Sequence, residues 1–161
     1  MKKILIPFLA IGLLATTACK KTSQNCVPVT KVAPDDEIEE LRTYLSEKGI
    51  TAKQDERGFF YVISEAGDED KPEACSSISV VYKGTLINGV VFDEATTATT
   101  MSLNGVITAW RGALPLIGEG GKITIYSPPS LAYGSNPPTR DIPPNAVLIF
   151  DIELKKIVKL R

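Results

Sequence analysis

Hydrophobic positions recur along this chain with more than one period, and each period predicts its own kind of element. Ile38, Leu41 and Leu45 stand at i, i+3 and i+7 with Tyr44 beside them, which draws one apolar stripe along a helix. Pro34 and Asp35 sit at its start, and Asp36, Glu37, Glu39 and Glu40 place negative charge where the positive end of the helix dipole favours it. Lys48-Gly49 supplies the stop. A helix over 36–48, roughly three turns, cannot persist alone in water and must dock. The pattern then shortens. Gly58-Phe59-Phe60-Tyr61-Val62-Ile63 is dense in aromatic and β-branched residues and predicts a strand. Residues 67–72 read as a turn. Residues 77–87 alternate, with Ile78, Val80 and Tyr82 on one face. Asn88-Gly89 is a strong hairpin signal, and Val90-Val91-Phe92 is the returning strand. Two further strands are predicted over 121–126 and 146–158. Six prolines between positions 128 and 144 rule out a ladder there and predict an ordered surface loop long enough to carry a function.

Val106-Ile107-Thr108-Ala109-Trp110 opens a compact helical segment and holds the only tryptophan. Gly105 before it permits a tight backbone approach. The order helix, strand, hairpin, helix, strand, loop, strand specifies an α+β fold. In it an antiparallel sheet curls as a half-barrel over the Trp110 helix, with the 36–48 helix as an N-terminal addition. Trp110 is then either the floor of an apolar pocket or an ordinary core tryptophan.

Composition narrows the chemistry. With 18 basic and 19 acidic residues and no basic stripe, nothing marks a nucleic-acid surface. Histidine is absent, which removes imidazole as base, nucleophile partner or metal ligand. No cofactor or metal is called for.

The N-terminus reads as a processing signal. Lys2-Lys3 precedes an apolar run over 4–15 that is too short for a membrane span. Thr16-Thr17-Ala18-Cys19 resembles a bacterial lipoprotein signal, with Thr16 where the common pattern has Leu. The resemblance implies that Cys19 is the lipidated N-terminus; the other reading is an ordinary secretory signal cut nearby, and under either the mature chain is exported. Lys20-Lys21, in place of acidic residues, favours an anchor facing the periplasm. Cys26 and Cys75 then remain as an even pair in an oxidising compartment. They form either a disulfide or two free thiols. A bridge would close a loop of about 50 residues, worth roughly 4 kcal/mol in the chain-entropy model.

Six blocks occur in order: Val81-Tyr82-Lys83-Gly84-Thr85-Leu86 with Asn88-Gly89; Phe92-Asp93; Val106-Ile107-Thr108-Ala109-Trp110; Leu131-Ala132-Tyr133-Gly134; Ile142-Pro143-Pro144-Asn145; and Leu148-Ile149-Phe150-Asp151. Together they resemble the FKBP-type peptidyl-prolyl cis-trans isomerases over roughly 58–160. They are similar in particular to exported bacterial members such as the macrophage infectivity potentiator group and gliding-motility lipoproteins. The resemblance implies a division into a signal (1–18), a tether (19–34), a helix and linker (35–57) and an isomerase domain (58–161). It implies a pocket of Tyr82, Phe92, Asp93, Val106, Ile107, Trp110, Tyr133, Ile142 and Phe150. In that pocket Trp110 is the floor and Phe92 and Phe150 are walls. Tyr133 and the Ile107 N–H donate to substrate carbonyls. Asp93, partly buried, accepts from Tyr82 and faces the twisting amide.

Rotation about an amide needs no nucleophile or base, so a chain without histidine can perform it. The implied partners are proline-containing polypeptides and macrolide-type inhibitors. Phe150→Ala or Asp93→Ala is expected to remove most acceleration while the domain stays folded. The sequence departs from the family at Thr99 and Met101, where phenylalanines are usual. A thinner pocket wall there supports a second reading, a low-activity proline-binding module or chaperone subunit of an envelope complex. The 36–48 helix is too short to match the dimerising helix of some relatives, so a monomer is expected.

Overall fold

A computed structural model describes residues 28–158; the signal segment, Cys19 and Cys26 lie outside them. Helix α1 (Asp35–Glu47) is followed by β1 (Lys53–Gln54), β2 (Phe60–Glu65), β3 (Ser77–Leu86) and β4 (Val91–Ser102). Helix α2 (Thr108–Ala113), β5 (Lys122–Ser127) and β6 (Leu148–Val158) complete the chain. The strands form one antiparallel sheet in the order β1-β2-β5-β6-β3-β4. Alternation sets its inner face: Tyr82 pairs with Ile152, Gly84 with Phe150, and Phe150 in turn with Ile125. Helix α2 lies against that face and contributes Ala109, Trp110 and Ala113 to the core. This is the expected α+β architecture, with its predicted elements other than β4 displaced by one or two residues at their ends.

Helix α1 docks as its apolar stripe requires. Ile38, Leu41 and Leu45 are buried in the same core as α2 and the strands, each contributing roughly 1.5–3 kcal/mol on burial. It meets the sheet where β2 begins. Gly58, at φ +99°, leaves no room for a side chain, since a Cβ there would lie 2.7 Å from the Ile38 Cδ1. The Ala33 N–H donates to the Arg57 carbonyl at 2.8 Å. The stretch predicted as a linker also contains the short strand β1, whose two exposed residues carry no periodic signal.

The largest difference from expectation is β4. It continues for 12 residues, far past the three predicted, through Glu94-Ala95-Thr96-Thr97-Ala98-Thr99-Thr100. It is an edge strand and mostly exposed, so no apolar alternation was needed to build it; β-branched threonine alone favours extension. Two register shifts interrupt it. Gly84 faces Asp93 while Thr85 faces Val91, and Tyr82 faces Ala95 while Val80 faces Thr99.

The β3–β4 hairpin also departs from a two-residue Asn-Gly turn, which needs positive φ at both residues. The Gly89 N–H donates to the Leu86 carbonyl and the Leu86 N–H to the Val90 carbonyl, both at 2.9 Å. The loop is therefore Ile87-Asn88-Gly89. Gly89 alone takes the left-handed conformation, at φ +85°.

Cys75, just ahead of β3, is disulfide-bonded. Among the described residues no helix is long and apolar enough to cross a membrane.

Candidate active site

The site begins with a missing side chain. Gly84 lies mid-strand on the inner face, where a Cβ would stand 2.6 Å from the Phe92 Cζ and 3.2 Å from the Phe150 Cε1. Its hydrogen leaves room for these two rings to meet edge to face, with centroids 5.6 Å apart and planes at 89°. The adjacent register shift supplies the next requirement. In a regular strand Phe92 and Asp93 would face opposite sides of the sheet. The bulge opposite Gly84 and Thr85 turns both inward. Phe92 reaches Phe150, and Asp93 reaches Tyr82, whose hydroxyl donates to the Asp93 Oδ2 at 2.7 Å.

Helix α2 closes the hollow from below. Val106 and Ile107 enter it in extended conformation, and the Arg111 N–H donates to the Ile107 carbonyl at 3.1 Å. Trp110, one turn in, is 4% exposed. Its indole meets Tyr82 edge-on at 5.2 Å and Phe150 edge-on at 5.3 Å, geometries that suit the quadrupoles of the rings. Its N–H is buried and has no partner among the described residues. Behind α2, Gly112 sits so close to Phe59 and Arg57 that a Cβ would lie 2.8 Å from the Phe59 Cε1. Arg57 is held by both oxygens of Asp55, at 2.6 and 2.8 Å, and lies over the Phe59 ring.

The resulting hollow has a volume of about 170 Å³. Of the residues expected there, Tyr82, Asp93, Val106, Ile107, Trp110, Tyr133 and Phe150 line it. Phe92 backs Phe150 and does not line the hollow itself. Ile142 is buried in the proline-rich loop and does not line it either. Asp93 is exposed, which corrects the expectation of a partly buried carboxylate: β4 is an edge, so nothing packs over its outer side. Met101 and Gly105 also line the hollow. Met101 thus occupies the wall where the expected phenylalanine is missing, with a flexible thioether in its place, while Thr99 is exposed and lies off the lining. Gly84 is a site residue beyond those expected from the sequence; its signal is a glycine inside an otherwise regular strand pattern.

Two phenols frame the one carboxylate. Burial, then the hydrogen bond to Asp93 and its charge, push the Tyr82 hydroxyl up to about 12. Burial and the Asp93 charge raise Tyr133 as well. Both hydroxyls therefore stay protonated donors throughout the neutral range. A raised folded-state value means that the folded protein holds a proton the unfolded chain releases. Stability from Tyr82 is thus complete below about pH 10 and is lost as pH rises toward about 12. Denaturant midpoints measured between pH 9 and 12 should fall less steeply in Tyr82→Phe than in the unaltered protein. Equal slopes would exclude Tyr82 as the group responsible.

A larger open groove, about 420 Å³, crosses the other face of the sheet. Its lining includes Lys83, Glu94, Lys122, Thr124, Asp151 and Glu153. Its Lys122 is already paired with Glu65 at 2.6 Å, and Tyr82 is the single aromatic residue along it, so the smaller hollow, with Trp110, Phe150 and two tyrosines, is the better candidate. Among the described residues no cluster of three or more cysteines or carboxylates is placed to hold a metal.

Comparison with known proteins supplies the family. The family of FKBP-type peptidyl-prolyl cis-trans isomerases matches residues 68–155, more than half of the chain. The isomerase FkpA of Escherichia coli K12 is 41% identical over 114 residues, covering 69% of this chain and 41% of the relative. FkpA of Buchnera aphidicola from Acyrthosiphon pisum is 38% identical over 121 residues, covering 73% and 49%. The chain thus spans less than half the length of these curated relatives. Among solved structures, E. coli FkpA superposes with a TM-score of 0.66 at 38% identity, covering 76% of this chain and 57% of that one. A peptidyl-prolyl isomerase from Pseudomonas syringae pv. tomato gives a TM-score of 0.68 at 28% identity, covering 79% and 98%. The matched region carries β3, the bulged edge, α2 and the tyrosine loop, which are the parts that build the aromatic hollow, and on this evidence the chain belongs to the FKBP-type peptidyl-prolyl cis-trans isomerase family.

Proposed function

We propose that this protein accelerates cis–trans isomerisation of Xaa-Pro bonds in exported polypeptides, with the hollow over Trp110 as its active site. The observation that carries the proposal is the union of an apolar aromatic floor with hydrogen-bond donors and a single carboxylate at the rim. Planar amides resist rotation by ~18–20 kcal/mol because twisting forfeits resonance. A twisted amide has a smaller dipole than a planar one, so an apolar hollow favours it relative to the ground state. Lowering the barrier by ~4 kcal/mol gives roughly a thousandfold, and no bond to carbon need form or break. Trp110 would receive the proline ring against the edges of Tyr82 and Phe150. Tyr133 would donate to a carbonyl beside the proline, and the Ile107 N–H to another. Asp93, held by Tyr82, would present its charge near the twisting nitrogen.

The remaining parts of the proposal concern placement. Cys19 would anchor the chain by lipid in the envelope, facing the periplasm. The disulfide of Cys75 would pair with Cys26 and so fasten the tether to the base of β3. Macrolide-type inhibitors would compete for the hollow, and the protein would act as a monomer.

The decisive test is a proline-limited refolding assay with the chain lacking residues 1–19. Acceleration at catalytic concentration, abolished by a macrolide, is the expected result. Binding of proline-containing peptides without acceleration would leave a holding module in place of an isomerase.

A further inference from the structure

We infer that Glu37, on the N-terminal helix, is a positioning residue for Tyr133, so that α1 is a working support of the site. The inference rests on the isomerase reading for its kinetic consequence and on geometry alone for its structural one. The loop leaving β5 begins Pro128-Pro129-Ser130, and neither proline has an N–H. In the short 3-10 turn Pro129–Leu131 the Leu131 N–H donates to the Pro128 carbonyl at 3.1 Å. That leaves the Ser130 N–H as the one donor of the turn without a backbone acceptor near it, and no side chain at the turn's own N-cap supplies one. The acceptor comes from 93 residues away: the Glu37 Oε2 takes the Ser130 N–H at 2.9 Å, half-buried.

From Ser130 onward the backbone has little freedom. Leu131 is fully buried. The N–H groups of Ala132 and Gly134 both donate to the Pro129 carbonyl, at 3.0 and 2.9 Å, and Gly134 turns the chain at φ +57°. Tyr133 is carried between them into the hollow. Fixing Ser130 therefore fixes where the phenol stands. Glu37 is itself fixed, because the adjacent Ile38 and the stripe of Leu41 and Leu45 seat α1 in the core. Helix α1 lies outside residues 68–155, the stretch that the family model matches.

Four variants of the chain lacking residues 1–19 test the inference: Glu37→Ala, Glu37→Asp, Glu37→Gln and Tyr133→Phe, with the double variant Glu37→Ala/Tyr133→Phe. Losing a half-buried hydrogen bond to a charged acceptor should lower kcat/KM on a proline tetrapeptide about fivefold in Glu37→Ala. Glu37→Asp, which keeps the charge but falls short by a methylene, should behave like alanine. Glu37→Gln, which keeps an oxygen of the same reach, should recover most of the rate. In the Tyr133→Phe background Glu37→Ala should have no further effect. An unchanged rate in Glu37→Ala, or a loss of equal size with and without the Tyr133 hydroxyl, would overturn the inference. Amide hydrogen exchange decides independently of catalysis: Leu131, Ala132 and Gly134 should exchange faster in Glu37→Ala while amides in β6 do not change. If the unaltered protein shows no isomerase activity, the functional reading falls and exchange alone judges the role of Glu37; unaltered exchange in the loop would then reject it.

Discussion

Replacing Phe150 by alanine is expected to cost roughly 3–5 kcal/mol of folding stability in addition to nearly all catalytic acceleration. Sequence alone suggested that the domain would tolerate this change. Phe150, however, is 3% exposed and central to the aromatic contacts, touching Trp110 edge-on at 5.3 Å and Phe92 at 5.6 Å. Its removal opens space that Gly84, with no side chain, cannot fill from the next strand. Against a total stability of about 5–15 kcal/mol for a domain, the loss leaves a marginal protein. Denaturant titration of Phe150→Ala beside Phe150→Leu separates the two effects. The leucine variant should keep most of the stability while losing the flat edge that meets Trp110. Full stability in Phe150→Ala would mean that the wall and the core are not the same structure.

Asp93→Ala should behave in the opposite way. The carboxylate is exposed and its one described side-chain partner is Tyr82, so the change is expected to alter stability by less than about 1 kcal/mol. Refolding acceleration should nevertheless fall about tenfold, equivalent to ~1.4 kcal/mol of barrier, through loss of the charge at the rim and of the hold on the Tyr82 hydroxyl. Tyr82→Phe in parallel separates these causes, since it frees the carboxylate without removing it. A variant that unfolds, or one that keeps its full rate, would each show that Asp93 has another role.

The parts of this fold that were legible in the sequence are those that bury a regular stripe. Ile38, Leu41 and Leu45 betray α1 because one helical face must be apolar to dock. Ile78, Val80 and Tyr82 betray β3 because its inner face covers α2. The edge strand β4 was not legible, because a strand open on its outer side can be built from threonine and alanine without alternation. Most of the hollow followed from the ordered blocks, but the placement of Phe92 and Asp93 on one side did not. A bulge is a relation between two strands, and neither strand encodes it alone. The contact of Glu37 with Ser130 was hidden for the same reason: each residue looks ordinary in its own neighbourhood, an acid at a helix start and a serine after prolines.

The irregularity of β4 bears on how the fold resists strand addition at its open edge. A long threonine-rich edge would ordinarily offer a row of unpaired N–H and C=O groups to any extended chain. Here the ladder with β3 pairs at 91, over 93–95 and over 99–102, with a register shift between each stretch and the next. A foreign strand laid along this edge would lose step before gathering enough hydrogen bonds to stay. An extended chain near this edge is therefore not recruited as a seventh strand of the described sheet.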